Sequence, residues 1–475
     1  MGLGDVTNRI SSDAVGRLLA DHYRCSEQSA NFTITGPLSS SPGYFRIGDE
    51  VIGYAQTSGG NRAKSPAGTL DDLSRFISAG DSIVNLPFDA CQVVENLRQE
   101  LYSSDSGEPS DALPANRLVR SLYYLLRPLL SVGLRRNFQK LYFERRGIPP
   151  FPAWPVDTSV ENILEHLLVL SMKAQNLSRV PFIWFWPGGA DSCTMMTHDV
   201  ETSAGVDFCP ALMDINDSFA IKSSFQVVPE KRYPVSPQYL ENMRTRGFEV
   251  NVHDLNHDGH LFRTHAEFLQ RAAQINQYGR QYGSEGFRAA ILYRNVPWHD
   301  ALDFSYDMSV PNVAHYDPQK GGCCTVFPFF AGKILELPLT TTQDYTLFNI
   351  FGDYSIRLWQ KQIGLIQEKH GLISFIVHPD YIIEEKAQKV YRNLLAHLAD
   401  LRRKGETWIA LPGEVASWWR TRGNLRLVER HGTWQVEGEG CERARVAFAE
   451  LSGDRLSYSM ALNYSETARG VAQKM

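Results

Sequence analysis

The sequence of 475 residues lacks three features that would each point to a particular class of protein. It has no run of about 18 apolar residues, and its N-terminus shows no basic stretch followed by an apolar one, so neither a transmembrane helix nor a secretory signal is predicted. It also has no excess of basic charge, because 53 Asp and Glu residues outnumber 48 Lys and Arg residues. We therefore expect a soluble, cytoplasmic protein with no transmembrane segment and no nucleic-acid partner.

Paired cysteines are missing as well. The seven cysteines are odd in number and scattered, and no Cys-x-x-Cys pair occurs. This pattern argues against a disulfide framework and against a thiolate zinc site, so we expect reduced and mostly buried thiols.

The chain divides into three parts on its pattern of elements, and its length also favours more than one domain. Residues 1–155 mix polar stretches with a hairpin around 44–55 and helical patterns near 70–78 and 87–102. Strand and helix signals alternate between about 157 and 411, which predicts a parallel α/β sheet. Short alternating runs after Arg422 indicate a small β appendage. We predict an N-terminal α+β accessory region at 1–155, an α/β unit at 156–422, and a small C-terminal β domain with a tail at 423–475.

The elements of the middle part are predicted from apolar runs and helix caps. The predicted strands are 182–186, 194–198, 224–228, 248–253, 287–292, 335–339, 372–377 and 407–411. The predicted helices begin after Thr158 and Ser236, after Thr264, and near 354 and 384. The first of these helices is expected to open on a capping box formed by Thr158 and Glu161.

One segment before the middle part is both apolar and basic. Residues 117–146 place Leu and Tyr between Arg and Lys residues. Such a stretch is more often a helix pair that packs its apolar face on a neighbour, and its alternative is a weak contact with a membrane surface or a polyanion. The oligomeric state cannot be predicted from these features.

Two polar clusters follow predicted strands of the middle part. The first contains Asp199 and Glu201, and the second contains His253 and His257. Two histidines and one carboxylate, with an open position for water, make a hydrolytic site for zinc or a similar divalent ion. The remaining carboxylate is then a natural general base. Either cluster alone is a weak signal, but two clusters at the ends of successive strands indicate a site.

With two further motifs, the sequence resembles the polysaccharide deacetylase family, which acts on chitin, peptidoglycan and related glycans. The motifs are Asp199-Val-Glu201, His253-x-x-x-His257, Phe287-Arg288 and Ile376-Val377-His378, in that order across about 190–420. The family pattern usually has two adjacent aspartates, whereas one residue separates the carboxylates here. The resemblance implies a distorted (β/α) barrel of about seven parallel strands.

The resemblance also implies a role for each motif residue. Asp199 is assigned as the base, and Glu201, His253 and His257 are assigned as ligands of a divalent metal ion, with zinc preferred. The reverse assignment of Asp199 and Glu201 stays open. His378 would protonate the leaving amine, and Arg288 would pair with Asp199 and orient it.

We therefore expect a metal-dependent hydrolase that removes the acyl group from an N-acylated amino sugar, its carbohydrate substrate. One alternative is a related amide hydrolase that acts on a small amide other than a sugar. Another is a glycan-binding protein that has the barrel without the activity. Polar loops after later strands, at 306–317 and 340–345, are expected to bind the sugar.

Overall fold

The computed structural model describes residues 10–25, 30–49, 51–60, 63–104 and 149–461. The segment 117–146, predicted as a packed helix pair with membrane-surface contact as its alternative, lies outside these residues. Of the helices that are described, none combines the length and the apolar character needed to cross a bilayer. All seven cysteines are free thiols.

The structure contains short strands at both ends of the chain and a long alternation of strand and helix between them. In chain order the strands are β1 (Asn31–Ile34), β2 (Gly43–Ile47), β3 (Val51–Ala55), β4 (Ser78–Gly80), β5 (Ile83–Leu86), β6 (Arg179–Ile183), β7 (Cys193–Val200), β8 (Ser224–Val227), β9 (Glu249–His253), β10 (Gly286–Arg288), β11 (Tyr306–Asp307), β12 (Phe329–Ala331), β13 (Ile334–Glu336), β14 (Leu372–Ile376), β15 (Trp408–Ile409), β16 (Arg426–Arg430), β17 (Thr433–Glu437), β18 (Val446–Ser452) and β19 (Arg455–Met460). The α-helices are α1 (Ile10–Tyr23), α2 (Ala90–Arg98), α3 (Leu101–Ser104), α4 (Ser159–Ala174), α5 (Ser203–Asp217), α6 (Pro237–Thr245), α7 (His265–Tyr282), α8 (Arg357–Gln367), α9 (Glu385–Arg403) and α10 (Pro412–Asn424).

The largest sheet is a distorted barrel, as the family resemblance implied. Seven parallel strands follow one another in the order β13-β11-β10-β9-β8-β7-β14, and β12 lies antiparallel to β13. The eighth parallel strand, β15, pairs with the first residues of β7. Just beyond β13, the Thr340 and Thr341 hydroxyls donate to the carbonyl oxygens of Leu372 and Ser374 in β14, each at 2.7 Å. The two ends of the strand path therefore meet, and the sheet curls into a barrel.

Burial explains why the barrel strands read as apolar runs. Every residue of β7, β8 and β14 is buried, because one face of the sheet lines the barrel and helices cover the other. In β7, Thr197 and Asp199 point inward, whereas His198 points to the helix layer, where its ring contacts Asn216 and Tyr391. Alternation along the strand therefore decides which polar residues reach the barrel interior.

Most predicted helices are confirmed, but one cap is wrong. Ser236 and Thr264 each accept a backbone N–H in the first turn of α6 and α7, as predicted. The helix predicted after Thr158 is α4, yet Thr158 makes no capping hydrogen bond. Asp157 accepts from the backbone N–H of Ser159 at 2.8 Å instead, and Glu161 accepts from the Thr325 hydroxyl. The capping-box interpretation failed because Glu161 is buried against a distant segment of the chain.

Two other expectations needed correction, and one helix was missed. The helix predicted at 70–78 is a single 3-10 turn followed by β4. The strand predicted at 182–186 is β6, which begins earlier at Arg179 and pairs with β18 of the C-terminal part, outside the barrel. Helix α5 was not predicted, and Pro210 in its interior is a poor residue for a helix. It forms because Cys209, Leu212 and other apolar side chains on one face are buried against the barrel.

The flanking parts pack on the barrel through a shared core. The hairpin predicted at 44–55 is β2 paired with β3, and the C-terminal runs form the hairpins β16-β17 and β18-β19. Apolar side chains from all three predicted parts, from Val15 to Ala449, belong to one continuous core. The division at 155 and 422 stays a prediction.

Candidate active site

The residues singled out by the four motifs meet at the carboxyl end of the barrel strands. Asp199 lies at the end of β7 and Glu201 just after it, His253 ends β9, Arg288 ends β10, and His378 follows β14. These strands belong to one parallel sheet, so their carboxyl ends lie at the same edge. All six residues are thereby brought together, with His257 reaching back from the loop after β9.

Three side chains form a donor set suited to a metal ion. The ligand atoms of Glu201, His253 and His257 all lie within 4.8 Å of one another. We call these three residues the rim cluster, because Glu201 keeps 19% of its side chain exposed at the mouth of the site. One carboxylate and two imidazoles are typical ligands of zinc and similar divalent ions.

The two imidazoles are oriented as metal ligands usually are. The Nδ1 of His253 lies 3.1 Å from the Arg288 carbonyl oxygen and donates to it, which leaves Nε2 with a free lone pair. The Nε2 atoms of His253 and His257 are buried and make no hydrogen bond, although His257 Nε2 lies 2.9 Å from Glu201 Oε1. Buried imidazole nitrogens without a hydrogen bond are costly unless another partner satisfies them. The residues present therefore fit a metal ion.

The charges in the rim cluster favour the same conclusion. Burial lowers the pKa of His253 to about 4, so this imidazole is neutral at neutral pH. Burial opposes protonation of His257 as well, but the Glu201 carboxylate outweighs it and raises the pKa of His257. Metal ions compete with protons for such ligands, so binding of a cation would displace the proton from His257.

His257 also has an unusual backbone. Its φ is +56°, in the left-handed region, and Asp254 has the same value. Residues other than glycine rarely adopt this conformation, and those that do cluster at functional sites. The turn 254–257 is what brings His257 back over His253, with ring centroids 4.9 Å apart.

Asp199 is held by Arg288 beside the rim cluster. The Nη1 of Arg288 donates to Asp199 Oδ1 and to the Thr197 hydroxyl, both at 2.7 Å, and its Nε donates to the Met308 carbonyl oxygen. Asp199 Oδ2 lies 3.8 Å from His253 Nε2. Burial would raise the pKa of Asp199, but the charge of Arg288 outweighs burial and lowers it. Asp199 is therefore an ionised carboxylate in a fixed orientation.

His378 stands on the other side of Glu201 and has a partner of its own. Its Nδ1 donates to Asp344 Oδ1 at 2.6 Å, and its backbone N–H donates to Asp344 Oδ2 at 2.8 Å. Its Nε2 lies 3.5 Å from Glu201 Oε1. Burial disfavours the charged ring, but Asp344 and Glu201 outweigh it and raise the pKa of His378 well above its ordinary value. His378 therefore carries a proton that faces the site.

Asp380 is a residue of the site that was not predicted. Its carboxylate accepts from the Thr202 hydroxyl and, at 3.4 Å, from the backbone N–H of Glu201, at the N-terminus of α5. A Cβ at Gly205 would meet this carboxylate at 2.6 Å, so only glycine leaves room for it. Asp380 thus joins the loop of His378 to the loop of Glu201. Its place two residues after His378 was the only signal available in the sequence.

The loops expected to bind a sugar have mostly other partners. The Tyr306 hydroxyl contacts Glu249 inside the barrel, and His315 Nε2 lies 2.7 Å from the Pro152 carbonyl oxygen. Asp317 accepts from Gln343 at 2.8 Å. The end of the run 340–345 reaches the site through Asp344, which binds His378, a role that the sequence did not suggest. The next residue, Tyr345, lies beside Tyr381.

No protein-family model matches the chain, and no curated protein matches it. Solved structures do match. A putative polysaccharide deacetylase from Mycobacterium smegmatis is 17% identical, with a TM-score of 0.41, and the match covers 52% of this chain and 97% of that one. A probable polysaccharide deacetylase from Pseudomonas aeruginosa PAO1 is 12% identical, with a TM-score of 0.39, over 50% of this chain and 93% of that one.

An allantoinase also matches, at 13% identity and a TM-score of 0.39, over 50% of this chain and 92% of that one. The names of the first two structures agree with the family that the four motifs resemble. At these identities and TM-scores, the likeness supports no argument about activity, which must come from the site itself.

Proposed function

We propose that the chain is a metal-dependent amide hydrolase that removes the acyl group from an N-acylated amino sugar. The observation that carries the proposal is the convergence of the rim cluster, the Asp199–Arg288 pair and the His378–Asp344 pair at one edge of the barrel. The site thus contains a donor set for a metal ion, an ionised base and a protonated acid. These are the groups that metal-assisted amide hydrolysis needs.

Each residue has a defined part in this proposal. Glu201, His253 and His257 would hold the divalent ion, which when bound supplies a Lewis acid and lowers the pKa of water. Asp199 accepts the proton of the attacking water while Arg288 keeps the carboxylate oriented. The oxygen of the water bonds to the acyl carbon and the C–N bond breaks. His378 then gives its proton to the departing amine, and Asp344 stabilises the charged imidazole before that transfer.

A sugar is supported by the aromatic side chains beside the acid. The Tyr381 ring lies 4.9 Å from the His378 ring, and the Tyr345 ring lies 5.4 Å from Tyr381, measured between centroids. Both tyrosines are half-buried at the mouth. Their flat apolar faces suit the C–H face of a sugar ring next to the scissile amide.

A second candidate is a hydrolase of a small amide that is not a sugar. It is favoured by how little of the site is exposed, since the side chains of Asp199 and His378 are 5% and 6% accessible. Acid release from N-acetylated monosaccharides, their oligomers and small amides, measured on zinc-loaded protein, separates the two candidates. Turnover of the small amides alone would replace the sugar in this proposal.

The two carboxylates of the first motif provide the main test of the site. Asp199→Asn keeps the shape of the side chain and all three proposed ligands, so the rim metal should stay while turnover falls by roughly two to four decades. Glu201→Gln removes a ligand, so the rim metal should be lost together with activity. Metal content per chain and acid release are measured on both variants and on the wild type.

The opposite pattern, with metal lost in Asp199→Asn and kept in Glu201→Gln, would exchange the two roles. If the wild type hydrolyses an amide at full rate with no bound metal, the metal-dependent mechanism is wrong.

A further inference from the structure

A second group of metal-binding side chains lies in the same barrel, on strands that carry none of the four motifs. Asp307 ends β11, Glu336 ends β13, and His299 belongs to the 3-10 segment Val296–Ala301. We call these residues the sealed cluster, because each is 0% exposed. Their ligand atoms lie within 4.8 Å of one another.

The sealed cluster lies on the opposite face of the sheet from the rim cluster. In the strand register Asp307 pairs with Phe287 of β10 and with Glu336 of β13. Arg288, which follows Phe287 in β10, pairs with His253 of the rim cluster. Register partners share a face and successive residues alternate, so Asp307 and Glu336 point away from the barrel interior. They face the 3-10 segment that carries His299, whose Nδ1 lies 3.5 Å from Asp307 Oδ2.

Several polar atoms of the sealed cluster have no hydrogen-bond partner. Both ring nitrogens of His299 and the Oε2 of Glu336 are buried without one. The remaining carboxylate oxygens are bound: Ser309 donates its hydroxyl to Asp307 Oδ1 at 2.7 Å, and the Val310 N–H donates to Glu336 Oε1 at 3.0 Å. The unsatisfied atoms of His299 and Glu336 are therefore left for another partner.

The charges of the sealed cluster are also unbalanced. Arg288 contributes a positive charge near Glu336, but its Nη1 is bound to Asp199. Buried carboxylates are normally paired with cations or coordinate metals. One proton would neutralise Glu336 and still leave both ring nitrogens of His299 without a hydrogen bond.

We infer that His299, Asp307 and Glu336 form a second, structural site for a divalent transition-metal ion such as Zn²⁺. A divalent cation balances two carboxylates and gives the His299 lone pair an acceptor, which a proton does not. Imidazole and carboxylate ligands suit zinc, and a closed site with no exposed ligand is typical of a structural ion. Such an ion would be bound as the chain folds and exchange slowly afterwards. This inference does not depend on the proposed activity.

Metal counting on the intact chain tests the second site. The full-length wild type, produced with added Zn²⁺ and freed of loose metal, should contain two equivalents per chain by elemental analysis. Glu336→Gln should keep only the equivalent bound by the rim cluster, and His253→Ala should keep only the one bound by the sealed cluster. The double variant should contain no metal. Glu161→Gln is the matched control, because Glu161 is a fully buried carboxyl with no histidine among its hydrogen-bond partners, and it should keep two.

The rate of metal loss to a chelator provides a second measurement on the wild type alone, in case Glu336→Gln fails to fold. One equivalent should leave quickly from the rim cluster and one slowly from the sealed cluster. A wild type with a single equivalent that His253→Ala abolishes would overturn the inference, and so would a wild type without bound metal. Retention of two equivalents by Glu336→Gln would overturn it as well.

Discussion

The rim cluster and the sealed cluster contain the same types of ligand in the same sheet, but they differ in their access to solvent. Glu201 is 19% exposed at the mouth of the barrel, whereas all three residues of the sealed cluster are 0% exposed. The rim cluster also has an ionised carboxylate and a protonated imidazole beside it, in Asp199 and His378. Ligand types alone therefore do not distinguish the proposed catalytic site from the proposed structural one. Access and the neighbouring acid and base make the difference.

Replacing Arg288 is the strongest test of the difference between the two clusters, because its side chain binds Asp199 on the rim side of the sheet. In Arg288→Ala the charge-assisted hydrogen bond is lost, which costs roughly 1.5–3 kcal/mol, or about one to two decades in turnover. Both metal equivalents should remain, since Arg288 is not a ligand in either cluster. Steady-state kinetics and elemental analysis of one preparation check this.

Arg288→Lys is the control for that variant. It keeps the positive charge but not the fork of donors that spans Thr197, Asp199 and Met308, so it should recover only part of the turnover. Loss of metal from Arg288→Ala would contradict this expectation, because it would show that metal binding by the clusters depends on Arg288.

Replacing Asp344 tests whether an oriented acid, His378, is what distinguishes the rim cluster from the sealed cluster. Asp344→Asn keeps a hydrogen bond to His378 but removes the charge, which should lower turnover by about five- to tenfold. Since Asp344 raises the pKa of His378, the alkaline fall in turnover should move to lower pH in the variant. The pH profile of turnover measures this shift, and an unmoved alkaline limb would remove His378 from the role of acid.

Glu161 provides a reference for a buried carboxyl that takes up a proton. Burial raises its pKa from 4.5 to about 7, so between these values the folded chain holds a proton that the unfolded chain has released. The free energy of unfolding should therefore fall as the pH rises through this window, by up to about 3 kcal/mol, and Glu161→Gln should remove that fall.

Denaturant unfolding of the wild type and of Glu161→Gln at pH 5 and pH 7.5 measures the effect of Glu161. The same measurement on Glu336→Gln sharpens the comparison of the clusters. A flattened pH dependence without loss of metal would mean that Glu336 holds a proton. Loss of one equivalent without flattening is the expected result.

Much of the fold was predictable because burial leaves a pattern in the sequence. The strands β7, β8, β9 and β14 are found where apolar runs predicted them, and α6 and α7 begin at the predicted caps. The errors lie where a distant contact outweighs a local preference. Glu161 binds Thr325 rather than capping α4, and α5 forms around Pro210 because its apolar face is buried.

Part of the candidate site was also predictable, and for a related reason. Polar residues at the ends of buried strands mark a functional edge, and parallel strands bring those ends together. This reasoning and the family resemblance identified six residues, which the structure brings together. A charged residue inside an apolar run was the available signal for Glu336, and it was overlooked.

By itself, the sequence determined the kinds of element and the edge at which polar side chains collect, because periodic burial and strand polarity are local properties of the chain. Only the tertiary structure decided the partners. His378 with Asp344, Glu201 with Asp380, and the members of the sealed cluster come from different segments. They meet because strand register and barrel closure set which residues lie side by side and on which face of the sheet, and neither is recorded in the spacing of residues along one strand.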